Sequence, residues 1–146
     1  MQFFNLATYG SLMFPEILSA LTSKTFKSLD IIIRDYERFA LEGKSYPGLI
    51  YSPNKTTLGR AYLDLDEDDL KILDRFEDDL YQKEELIVDT ADRKKLTAVA
   101  YVVPARNRNA LSDKPWDPEE FSRGKLTRYI ENCQKFRQAY LSKGSS

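Results

Sequence analysis

Six segments of this chain carry strand patterns and three carry helical ones, and the joints between them mix tight turns with helical crossovers. That alternation constrains the fold more than any other feature. Phe3 to Tyr9 is rich in aromatic and apolar residues, and Leu29 to Glu42 has Ile31, Ile32 and Ile33 at its centre. Gly48 to Ser52, Thr56 to Leu65, Tyr81 to Ala91 and Lys94 to Pro104 read as the remaining strands. Pro53 and Asn54 occupy turn positions in Ser52 to Lys55, so a hairpin is expected there. Helices are expected over 16–23, over roughly 66–80, and from Asp117 onward. The expected class is α/β (α+β): a mixed, strongly curved sheet closed into a small barrel and flanked by helices. One domain spans 1–141, and 142–146 reads as a frayed end.

Local chemistry supports these helix starts. Asp64 or Asp66 can cap the orphan N–H groups of the middle helix, with further acids at the positive end of its dipole. Asp117 followed by Pro118 is a comparable start for the last helix. Leu126, Tyr129, Ile130, Cys133, Phe136 and Tyr140 then recur at helical spacing, most simply as a packing stripe. Trp116 is placed to anchor that helix on the barrel. The basic stretch Ala105 to Asn109 reads as a solvated loop that could reach a pocket mouth.

Composition removes several kinds of chemistry. The chain has no histidine and one cysteine, Cys133. Ser-His and Cys-His nucleophile pairs, His-based metal sites and thiolate zinc sites are therefore excluded. An acid–base group working near neutral pH is expected to be a carboxylate, a lysine or a tyrosine. A net charge of −1 argues against a nucleic-acid partner. No long apolar run suggests a membrane partner or a leader, and one unpaired cysteine fits a cytoplasmic location.

Glu77 is the anomaly. On a helix from Asp66 to Leu80, with Leu70 set at zero, Leu73, Phe76 and Leu80 make an apolar arc and Glu77 falls inside it at roughly 340°. An ionised carboxylate is costly to bury alone. Three outcomes are open: the helix stops before Glu77, Glu77 pairs with a buried cation, or it faces a polar cleft with a raised pKa. A second feature is the stretch "ATYGSLM" (Ala7 to Met13), a strand broken by Gly10 and followed by a helix. Gly10 permits a positive φ and close approach to the backbone, and successive N–H groups there can face an anion.

Together these pieces resemble the gamma-glutamylcyclotransferase-like family, in its small single-domain, AIG-like branch, over most of the chain. "TYGSLM" is similar to the family's Tyr-Gly-Ser/Thr-Leu loop, and "YPGLI" (Tyr46 to Ile50) to its Tyr-Pro segment. Leu58 to Val88 resembles the strand, helix and Phe-Glu stretch that carries a catalytic glutamate, and "AVAYVV" the next strand. Met13 departs from the basic residue many members carry after the loop.

The resemblance implies a barrel flanked by helices and no cofactor. It puts Glu77 in the catalytic position and Tyr9, Gly10, Ser11 and Leu12 in the substrate-binding loop. Tyr81 and Tyr46 then line the pocket. The implied reaction turns a small γ-glutamyl substrate into 5-oxoproline and a free amine by intramolecular aminolysis, with Glu77 as general acid and base. Two other readings stand beside it: a non-catalytic module binding a small ligand or a protein in the same cavity, and a two-carboxylate hydrolase using Glu77 with Asp74 or Asp78.

Overall fold

Side-chain alternation along the first strand, β1 (Phe4–Thr8), divides the interior in two. Leu6 packs beneath helices and Ala7 points into the sheet's own core. The computed structural model, which describes residues 2–143, shows β1 as one of five strands in a closed barrel of order β1-β3-β2-β4-β5. The others are β2 (Ser28–Ala40), β3 (Pro47–Leu65), β4 (Gln82–Thr90) and β5 (Lys95–Val102). β1 runs antiparallel to β3 and parallel to β5, through Leu6 opposite Val99, and so closes the ring. Five strands leave a narrow lumen, and small residues fill much of it: Ala7, Ala61, Ala98 and Ala100, beside Ile31, Ile33 and Val88.

The second core lies between barrel and helices. It holds Leu6, Tyr62 and Leu65 from strands with Ile17, Leu18 and Leu21 of α1 (Pro15–Thr22) and Leu70 and Leu73 of α2 (Glu67–Phe76). A short α3 (Pro118–Gly124) and a long α4 (Leu126–Ser142) complete this layer. Cys133 is fully buried, and Leu126, Tyr129, Ile130 and Phe136 pack against the same core. The stripe read along α4 is thus a packing face, with Tyr140 stacked on Phe136. Trp116 packs on Phe121 with ring centroids 5.5 Å apart. The middle helix starts as its acids suggest: Asp66 caps it in a reciprocal box with Asp69.

Two local expectations change. Ser52 to Lys55 is not a hairpin, because β3 runs through it as one strand. The register against β2 slips between Arg34 and Tyr36, and Asp35 and Asn54 take positive φ on opposite sides of the bulge. Asp35 Oδ1 accepts the Asn54 N–H at 3.0 Å, so a side chain from the partner strand completes the irregularity. The last helix is two helices, broken at Lys125 after the poor helix former Gly124. The frayed end expected over 142–146 falls from residue 144 outside the described residues, and α4 itself continues to Ser142.

At Gly59 the backbone of β3 lies against the Thr8 carbonyl of β1. A Cβ there would overlap the Thr8 carbonyl oxygen, a backbone atom that cannot move without opening the ladder. Gly59→Ala is expected to destabilise the protein by about 1–3 kcal/mol. Urea unfolding midpoints of the two proteins measure it.

Candidate active site

β1 ends at Thr8, and the chain leaves the barrel rim through Tyr9 and Gly10 into a 3₁₀ turn over Ser11–Met13. Two bonds hold the turn: Met13 N–H donates to the Gly10 carbonyl at 2.9 Å and Phe14 N–H to that of Ser11 at 3.2 Å. The N–H groups of Gly10, Ser11 and Leu12 meet no acceptor among the described residues. All three residues are buried, and all three line a cavity of about 300 Å³. Unpaired amides in such a place form a concavity suited to an anion. Gly10 does not use a positive φ, since its φ is −130°. Crowding requires the glycine: a Cβ would sit 2.7 Å from the Pro47 ring.

Glu77 reaches the same cavity by a route the helical wheel does not give. α2 ends at Phe76, and Glu77 is the residue after it, with extended φ −69° and ψ 145°. Its N–H still donates to Leu73 O at 2.9 Å, closing the helix. A tight turn follows: Asp78 Oδ1 accepts the Leu80 N–H and the Asp78 carbonyl accepts the Tyr81 N–H. Asn107 pins the Leu80 carbonyl at 2.8 Å. This turn brings Glu77 and Tyr81 to the cavity together. Phe76 belongs to the wall, whereas Leu70 and Leu73 remain in the core beneath the helices.

Of the three outcomes open for Glu77, the structure combines the first and the third. The helix does stop, but the carboxyl faces the cavity and makes no ion pair or hydrogen bond among the described residues. The side chain keeps some accessible surface because the cavity opens to solvent. It is nonetheless enclosed closely enough that loss of hydration, then the neighbouring Asp78 and Asp74 charges, raise its pKa from 4.5 to about 8.

Tyrosines surround this carboxyl. Tyr9 donates to the Tyr101 carbonyl at 2.7 Å, Tyr81 to the Pro47 carbonyl at 2.5 Å, and Tyr101 to Asp74 Oδ1 at 2.6 Å. Tyr46 donates to Asp78 Oδ2 at 3.3 Å, and Ser11 Oγ to the Tyr129 hydroxyl at 3.1 Å. Burial raises the pKa of each phenol, that of Tyr46 to about 12. These hydroxyls therefore stay protonated and act as donors and acceptors, not bases. Burial likewise pushes the Cys133 thiol to about 12, so it is not a thiolate nucleophile near neutral pH. Among the described residues, no lysine lines the cavity. Glu77 is left as the group with a pKa near the working range.

All seven residues singled out in the sequence, Tyr9, Gly10, Ser11, Leu12, Tyr46, Glu77 and Tyr81, line this one cavity. Tyr101, Tyr129, Asn132 and Cys133 line it too and were not singled out as site residues, and Asp78, considered only as a second carboxylate, joins them. Tyr129 and Cys133 were visible only as members of the α4 stripe, which serves packing and cavity wall alike. Asp74 and Asp78, considered as partners for a second carboxylate mechanism, are engaged by Tyr101 and Lys83 and by Tyr46 and the Leu80 N–H. The basic stretch 105–109 does not line the cavity.

Comparison with known proteins bears on the family and the fold. The model of the family described as "Gamma-glutamyl cyclotransferase, AIG2-like" matches residues 6–118. AIG2-like protein D of Arabidopsis thaliana is 28% identical over 131 residues, covering 88% of this chain and 85% of the relative. Among solved structures, an Arabidopsis thaliana protein determined in solution superposes with a TM-score of 0.71 at 21% identity, over 99% of this chain and 86% of that one. A yeast gamma-glutamyl cyclotransferase described as specific to glutathione superposes with a TM-score of 0.60 at 12% identity, over 94% and 97% of the two chains. These structural likenesses show the fold. Among the described residues, no helix is long and apolar enough to cross a membrane.

The Glu77 carboxyl makes stability depend on pH. The folded state holds its proton up to about 8, whereas an ordinary glutamate releases it near 4.5. The native state thus binds this proton more tightly, and the associated stability is complete below the lower value and lost as pH rises through the upper one. Glu77→Gln, which never ionises, is expected to match the wild type at pH 4 and to exceed it at pH 9 by up to about 5 kcal/mol. Denaturant unfolding at the two pH values provides the check.

Proposed function

The chain belongs to the gamma-glutamyl cyclotransferase, AIG2-like family, and on that premise we propose that it converts a small γ-glutamyl compound into 5-oxoproline and a free amine. One observation carries this reading: a carboxyl with its pKa raised to about 8 shares a small cavity with three unclaimed main-chain amides. The cavity, about 300 Å³, lies at the small end of ligand pockets and suits a glutamyl-sized group.

The substrate's α-amine attacks its own γ-carbonyl carbon. A C–N bond closes the five-membered lactam, the carbonyl oxygen gains negative charge, and the original amide C–N bond then breaks. No water is consumed. The nucleophile is tethered, so holding it in reactive geometry supplies much of the rate; oriented intramolecular reactions reach effective molarities of about 10⁵ M or more. Glu77 takes a proton from the attacking amine and returns it to the leaving nitrogen. Its raised pKa makes it a stronger base than an ordinary carboxylate and a workable acid afterwards. The amides of Gly10, Ser11 and Leu12 hold the α-carboxylate or the developing oxyanion. Ser11 serves as a binding hydroxyl, because its Oγ lies against the Tyr129 phenol and no base. Tyr46 and Tyr81 shape the wall around the reacting groups.

Incubation with a panel of γ-glutamyl dipeptides and γ-glutamyl amines, scored for 5-oxoproline, tests the proposal. The wild type should release lactam from at least one class, and Glu77→Gln should lose about 10²–10⁴-fold in kcat. A wild type that binds the panel without releasing lactam would favour the non-catalytic module. In the active enzyme, kcat/KM should climb with pH through an apparent pKa near 8, that of the free enzyme's base. A rate flat from pH 6 to 9 would contradict the assignment of the base.

A further inference from the structure

Arg38 stands outside the cavity, yet it grips the loop that forms the cavity's amide wall. It lies on β2 opposite Leu49 of β3, and its Nη1 donates to the Tyr9 carbonyl at 2.8 Å. The guanidinium carbon sits 5.5 Å from the centre of the Trp116 ring. Trp116 is 8% exposed and fixed by its own Nε1–H, which donates to the Ser45 carbonyl at 2.8 Å. A cation stacked on an immobile indole and facing a carbonyl has little freedom to swing away. Burial lowers the Arg38 pKa, the Asp117 charge opposes that, and the group stays cationic.

The Tyr9 carbonyl and the Gly10 N–H belong to one peptide unit. In a planar trans peptide these two groups point in opposite directions. Arg38 draws the carbonyl outward, so the N–H is presented on the other side, where Gly10 lines the cavity. Gly10 has no Cβ to resist rotation of that peptide. Turned over, the plane would aim a carbonyl dipole at the anion position and remove one of the three donors. A charge-assisted bond to the carbonyl also polarises the peptide and strengthens its N–H as a donor.

We propose that Arg38 is a positioning residue that locks the Tyr9–Gly10 peptide so that the Gly10 N–H faces the substrate. The inference rests on the proposed cyclisation for its kinetic consequence, but its structural content stands apart from it. Arg38 touches no reacting atom and acts only through the peptide.

Two variants and two measurements separate the outcomes. Arg38→Met keeps the stem over Trp116 and removes the donor; Arg38→Lys keeps a cationic donor without the planar fork. With a γ-glutamyl substrate that the wild type turns over, Arg38→Met should lose roughly 10- to 100-fold in kcat, a loss comparable to weakening one oxyanion donor. Its pH profile should keep the wild-type apparent pKa, because Glu77 is untouched. Arg38→Lys should recover part of the lost rate. A loss below twofold in Arg38→Met, or an equal loss in both variants, would overturn the proposal. If the wild type releases no lactam, the cyclisation reading fails and the Gly10 amide signal judges Arg38 alone. Titrating ¹⁵N-labelled protein with 5-oxoproline should shift the Gly10 amide proton in the wild type and leave it at least half less responsive in Arg38→Met. Equal shifts in the two proteins, or none in the wild type, would count against it.

Discussion

β1 is bonded on both edges, antiparallel to β3 and parallel to β5, and the rest of the molecule is arranged around that closure. The parallel contact makes the barrel a ring, and the contact of Thr8 over Gly59 sets how tightly β1 lies on β3. Once β1 is fixed, its chain must leave at the rim. The next residues are Tyr9, pinned at its phenol by the Tyr101 carbonyl and at its own carbonyl by Arg38, and Gly10, confined by Pro47. Three amides are left over at that exit, on the wall that α2, β5 and α4 complete. The cavity follows from the way a small barrel ends.

The Glu77 carboxyl is the cost of that arrangement. It sits without a cation, beside Asp78 and near Asp74, and burial raises its pKa to about 8. A residue serving stability alone would gain nothing there, since replacing it by a neutral isostere relieves the penalty. Strain of this kind accumulates where a group has chemistry to perform. The tyrosines around it, with pKa values raised by burial, supply shape and hydrogen bonds without competing for its proton.

Much of this was legible in the sequence where local chemistry decides. The alternation in Phe3 to Tyr9 and the Ile31–Ile33 run mark strands, and the choice of Asp64 or Asp66 as a cap marks a helix start, which the structure places at Asp66. Errors arise where a distant residue decides. Ser52 to Lys55 has turn chemistry, but pairing with β2 and the Asp35 side chain convert it into a bulge. Glu77 lies in the apolar arc of a helix that in fact ends one residue earlier, and the turn built by Asp78 sends it to the cavity. Arg38 and Tyr101 gave no local signal, because their partners are distant in sequence: Tyr9 meets Arg38 across the barrel strands, and Asp74 meets Tyr101 where α2 packs against β5. Tyr129 was hidden by doing two tasks with one side chain.

Everything chemical in this molecule depends on the Glu77 carboxyl being housed in the cavity with its proton held far above the ordinary range. The most direct measurement is its own titration, followed by the side-chain carboxyl ¹³C resonance in glutamate-labelled protein and assigned by its loss in Glu77→Gln. A midpoint near 8 is the result expected. A midpoint at the ordinary 4.5 would contradict the account, because it would place the carboxyl in bulk water.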